Sequence, residues 1–175
     1  NVLKQKREKE ILIGDDSVKN TLLNLHSKHD GLLLQKNEIT EAHDTGREAL
    51  SSVEAVLKNL QIAIQNAEWD MYSRGSYHDY HKHQALDKAA EESYNAQHKL
   101  TLFNKELLDV GIYEQSLHLN LNQISKFADT FFDNLISDWI IQNKIKNSFS
   151  TVESVRDKIH VILNTLESKF KRLNE

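Results

Sequence analysis

Apolar side chains return at alternating spacings of four and three along nearly the whole chain, and no proline breaks the run. That period matches the turn of an α-helix, so each helix carries an apolar stripe that another helix must cover. From Val18 the stripe passes through Leu22, Leu25, Leu32, Ile39, Leu50, Val53, Leu57, Leu60, Ile64, Ala67 and Met71. It predicts one helix over 17–72, with Asp16 or Ser17, just after Gly14, as its N-cap. At about 1.5 Å per residue such a helix runs roughly 80 Å, well beyond the usual globular length. The same register sets His29, Lys36, His43 and Gly46 on the stripe, so the first half of the helix is expected to pack less well than the second.

The next break is Ser73-Arg74-Gly75-Ser76, where turn-favouring residues flank a glycine between two long periodic segments. Residues 73–78 are therefore read as the tip of an antiparallel hairpin. A second stripe runs through Leu86, Ala89, Ala96, Leu100, Phe103, Leu107 and Val110, then continues in phase through Leu117, Leu121, Ile124, Ala128, Phe131 and Leu135. This predicts a long helix over 79–147, with Gly111 as the place for a kink. Ser150-Thr151-Val152-Glu153 has the pattern of a capping box, which starts a C-terminal helix over 150–173. The charged segment 1–13 reads as a short N-terminal helix carrying Leu3, Ile11, Leu12 and Ile13. Around Phe127, Phe131, Phe132, Leu135, Ile136, Trp139, Ile140 and Ile141 the apolar arc is too wide for one partner helix. The expected fold is thus all-α: a single elongated domain over 1–175, built as a long antiparallel coiled-coil hairpin that thickens into a helical bundle at one end.

Composition narrows the function classes. Hydrophobic residues make up 39% and charged residues 27%, a balance that suits a narrow bundle better than a thick rounded core. A formal charge of −4 opposes the concentrated basic surface that nucleic-acid binding needs. Without cysteine there are no disulfides, thiolate nucleophiles or cysteine-based zinc sites. No apolar run approaches the roughly 18 residues of a membrane span. The expectation is a soluble chain, with cytoplasm favoured over secretion.

The densest chemistry lies at the predicted turn. Trp69, Tyr72, Arg74, Tyr77 and Tyr80 belong to the residue types that dominate binding hot spots, and a hairpin tip lacks a further helix layer to bury them all. They are the candidate partner-binding residues. His78 and His81 share one side of a helix, with His83 nearby, and would be the metal candidates. If all three are helical, His83 points away from the other two, which leaves the ligand set incomplete. His29, Lys36 and His43 would fix register or partner choice if buried on the stripe.

The dipeptides His43-Asp44 and His78-Asp79 are similar to the metal-holding pair of the all-helical HD phosphohydrolases, which implies metal-dependent hydrolysis. That family also needs further histidines and an aspartate on compact, shorter helices, whereas His43 sits on the stripe of an extended one. Ferritin-like di-iron proteins need Glu-x-x-His motifs, and none occurs here; Asp157 before His160 comes nearest. No glycine-flanked serine turn or phosphate-cradling glycine cluster is present. The function expected from sequence is a non-enzymatic protein-interaction or scaffolding module, without cofactor. It would act through helix faces and the aromatic, histidine-rich tip, with a protein partner and homo-oligomer formation. One alternative is a membrane-active or secreted helical protein using residues 127–141. A further one is a histidine-based metal-binding protein.

Overall fold

The computed structural model describes residue 5 and residues 16–72, 76–111 and 145–175, with side chains described except at 16, 68–72, 76–80, 82 and 111. These residues form three helices: α1 (Asp16–Tyr72), α2 (Ser76–Gly111) and α3 (Ile145–Arg172). Among the described residues there is no strand, and the protein is all-α as its periodicity predicts. Hydroxyl side chains inside the helices are satisfied locally. Thr45 Oγ1 donates to the Glu41 carbonyl at 2.9 Å, and the fully buried Ser93 Oγ donates to that of Ala89 at 2.7 Å. This back-bonding lets serine and threonine sit in a helix interior without an orphaned polar group.

The helix boundaries correct three expectations. Asp16 and Ser17 both lie within α1, and the Ser17 carbonyl accepts from Thr21 Oγ1 at 3.0 Å. An N-cap has non-helical backbone, so neither residue serves as one. Residue Ser76 already begins α2, which leaves 73–75 rather than 73–78 between the first two helices. The third helix starts at Ile145 and runs straight through Ser150-Thr151-Val152-Glu153. The capping box does not form, because Val152 is buried in line with Ile145, Ser148, Val155 and Ile159. Thr151 Oγ1 instead donates to the Asn147 carbonyl, and Glu153 accepts from Arg156. A break at Ser150 would tear a continuous buried face. The expected N-terminal helix over 1–13 falls outside the described residues, apart from Gln5, as does the segment 112–144 on which a kink or continuation after Gly111 depends.

The chain divides into two units, 1–37 and 38–175. In the first, the described helical stretch 17–37 contains no buried side chain. In the second, the three helices share one core. Its fully buried members include Ile39, Val53 and Leu60 from α1, Leu100, Phe103 and Leu107 from α2, and Ile159, Ile162 and Leu166 from α3. Contacts fix the directions. Lys99 Nζ donates to Glu48 Oε2 at 2.6 Å, Phe103 meets Gly46, and Glu106 and Asp109 approach Glu38. As α1 descends, α2 ascends, so the pair is antiparallel. Leu163 also meets Gly46, while Leu166 and Phe170 share a groove with Ile39 and His43, which makes α3 antiparallel to α1 as well.

The buried stripe on α1 is Ile39, Ala42, Gly46, Ala49, Val53, Val56, Leu60 and Ala63. It shares every second position with the predicted stripe but turns to Ala42, Ala49, Val56 and Ala63 where His43, Leu50, Leu57 and Ile64 are expected. Leu57 is buried too, and Leu50 and Ile64 pack at the edge. Two neighbours explain the width: α1 is covered on both shoulders, by α2 and α3. The expectation of loose packing over His29–Gly46 therefore holds as far as Asn37, where no side chain is buried, and fails beyond it, where His43 is half-buried and Gly46 buried. Packing begins at Ile39.

Gly46 leaves no room for a side chain. A Cβ built there would stand 2.7 Å from Phe103 Cε2 and 2.8 Å from Leu163 Cδ2, whereas at Gly31 it would meet nothing within 4 Å. Overpacking a core costs about 1–3 kcal/mol, and replacing a helical glycine with alanine returns up to about 1 kcal/mol. Gly46→Ala should therefore lower stability in chemical denaturation by about 1 kcal/mol net. Gly31→Ala should do the opposite, slowing amide exchange around residue 31 by about fivefold, the equivalent of ~1 kcal/mol.

Candidate functional surfaces

Among the described residues, the longest run of exposed apolar side chains lies on 17–37. Val18, Leu23, Leu25, Leu32, Leu33 and Leu34 are each between 44% and 58% exposed. Elsewhere among the described residues the exposed large apolar side chains, Ile62, Tyr94, Leu108 and Val161, are scattered singly, which is normal for a protein surface. In helical register, Val18, Leu22, Leu25 and Leu32 fall on one line with His29 and Lys36, and Leu33 stands beside it. Leu23 and Leu34 fall on the opposite side. Lys19, His26 and Lys28 flank the line, while Asp16 and Asp30 lie outside those flanks. His29 is 69% exposed at its side chain, with Nδ1 3.4 Å from Asp30 Oδ1. It is a surface residue, as is Lys36 in part, so neither acts here as a buried register device.

His43 sits apart from both. Its side chain is 31% exposed, with Nδ1 3.7 Å from Asp44 Oδ1. It borders a groove of about 190 Å³ with Ile39, Thr40, Leu166, Glu167 and Phe170. That volume falls short of the roughly 300–1,000 Å³ of a usual small-molecule site. Beyond Glu167, no other acid stands among the described lining residues. On α3 beside it, burial pushes the Lys169 ammonium below its ordinary value, and Arg172 adds to the shift.

A carboxylate triad is the feature that sequence reasoning missed. Glu38 of α1 and Glu106 and Asp109 of α2 each place an oxygen within 4.8 Å of the others, all three half-buried. No sequence motif signals it, because the three meet only through the antiparallel pairing of α1 and α2. Partial burial raises the Glu38 carboxyl above its ordinary value, and the charges of Glu41, Asp109 and Glu106 push the same way against Lys105. At such distances each like-charge pair costs on the order of 1 kcal/mol in a water-like dielectric. Three carboxylate oxygens are hard donors suited to a divalent cation, yet nothing else in the structure points to one.

The histidine candidates do not join a metal cluster among the described residues. His81 is half-buried and His83 exposed, and the triad of carboxylates is the one grouping with ligand-like separation there. The side chains of His78, Trp69, Tyr72, Tyr77 and Tyr80, together with Arg74 and the segment 127–141, lie outside the described residues. No described helix is long and apolar enough to cross a membrane. With the geometry in view, comparison with known proteins adds no relative: no family model, curated protein or solved structure matches the chain.

The triad gives a signed prediction. A carboxyl whose folded-state value is raised stabilises the fold at pH below its unfolded value of 4.5, and that contribution is lost as pH rises through the higher folded value. Glu38→Gln removes the charge that the fold disfavours. Urea melts should show it more stable than the unaltered chain at pH 7, with the difference vanishing near pH 4.

Proposed function

We propose that this chain is a non-enzymatic protein-interaction module that works through helix faces, the first of them the row Val18, Leu22, Leu25 and Leu32. The observation that carries the proposal is the exposure of Val18, Leu25 and Leu32, with Leu22 half-buried between them, over 17–37, where no side chain is buried. An apolar helix face left in water forgoes about 25 cal/mol for every Å² it could bury, and a second helix recovers that energy with the same side-chain spacing that built the core. The three-helix core beyond residue 38 would then serve as a support. Trp69 and Tyr72 at the end of α1, Arg74 after it, and Tyr77 and Tyr80 at the start of α2 enter the proposal as a second contact on their residue types.

A photo-crosslinking amino acid placed in turn at positions 20, 25, 27 and 32 of the full chain, in the cells that make it, tests the reading. Positions 25 and 32 should yield an adduct of one defined mass, and positions 20 and 27, on the far side of the helix, should not. Absence of any adduct, or equal adducts from all four positions, would overturn it.

A further inference from the structure

We infer that the 17–37 face takes an acidic amphipathic helix of another protein, an inference that rests on the interaction reading and names the chemistry of the partner. The argument is charge complementarity along the exposed apolar line. Its two flanks carry Lys19, His26 and Lys28, with Thr21 and Gln35 as the neutral positions between, and Lys36 and His29 stand on the line itself. No carboxylate occupies the line or its flanks. Asp30 and Asp16 sit further round the helix, and Asp30 already faces His29. In a pair of helices the flanking positions of one chain meet those of the other, and there opposite charges choose the partner and its orientation. A helix with leucines at its core positions and glutamates at its flanks would bury Val18, Leu22, Leu25 and Leu32 and bring carboxylates to Lys19 and Lys28.

Two other occupants fit less well. A second copy of the same face, laid parallel, would set His29 against His29 and Lys36 against Lys36, and in either direction it brings no carboxylate to the lysines. An anionic lipid surface would meet the lysines, but an interfacial helix keeps its leucines on one side, and here Leu23 and Leu34 stand opposite Leu25.

The test uses the full chain and two synthetic helical peptides of three heptads, identical in their leucine core, one with glutamate and one with lysine at the flanking positions. Fluorescence anisotropy at low salt should show the glutamate peptide binding at least tenfold tighter than the lysine peptide, with the preference shrinking as salt rises. Leu25→Ser with Leu32→Ser should abolish binding of both, while leaving the core beyond residue 38 folded. Lys19→Glu with Lys28→Glu should reverse the preference, a gain that loss of folding does not mimic. Equal binding of the two peptides would overturn the acidic-partner inference and leave the interaction module standing. Binding of neither peptide, beside a defined crosslinked adduct, would do the same. Vesicles of anionic lipid that compete fully with the glutamate peptide would overturn it in favour of a membrane surface. A concentration-dependent doubling of mass in light scattering that Leu25→Ser and Leu32→Ser remove would overturn it in favour of self-pairing.

Discussion

The structure depends on the approach of α2 and α3 to the backbone of α1 at Gly46. Phe103 from one helix and Leu163 from the other both press on a position that carries no Cβ. Small residues prepare this contact along both helices: Ala42, Ala49, Ser52 and Ala63 on α1, and Ala85, Ala89, Ser93 and Ala96 on α2, are all buried. Interhelix distance follows the side chains at the contact, so small residues on facing stripes draw the axes together and let the larger Phe103, Leu60 and Leu107 fill the spaces between. The cross-helix ion pair of Lys99 and Glu48 follows from that approach rather than causing it. Its partners are 32% and 59% exposed, and pairs of that kind contribute little to stability.

What was legible in the sequence was the period, and what was not was the number of neighbours. The α2 stripe was read almost residue for residue, since Ala89, Ala96, Leu100, Phe103, Leu107 and Val110 are all buried. On α1 the same counting chose Leu50 and Ile64 over Ala49 and Ala63, because it ranked residues by their hydrophobicity. A helix flanked on both shoulders buries its smallest residues at the centre line and its larger ones at the margins. Gly46 was read as a flaw in the stripe for the same reason: a missing side chain looks like lost packing until the partner that needs the space is known. The false capping box at Ser150 shows the reverse case. There a local signal worth about 1 kcal/mol met a tertiary face worth several, and the face prevailed.

The candidate surfaces divide in the same way. The exposed line over 17–37 is written in the sequence as part of one stripe, with its polar interruptions at His29 and Lys36. Its separation from the buried part at Ile39 is not, because period alone does not say where the covering helices end. The carboxylate triad was invisible for a simpler reason. Glu38 lies far along the chain from Glu106 and Asp109, and only the register of the α1 and α2 pairing brings them together.

The continuity of α1 across residue 37 has a thermodynamic consequence. A helix pays its largest entropic cost in forming the first turn, and an isolated stretch the length of 17–37, with Gly31 inside it, is marginal in water. Joined to a segment already wound by its core, that stretch need only propagate, one hydrogen bond per residue. Its winding thus draws on the helix that it continues. A molecule lying along this stretch, as proposed, would select the wound form and hold the outermost turns, so that recognition and winding would form a single equilibrium whose affinity includes the cost of helix formation.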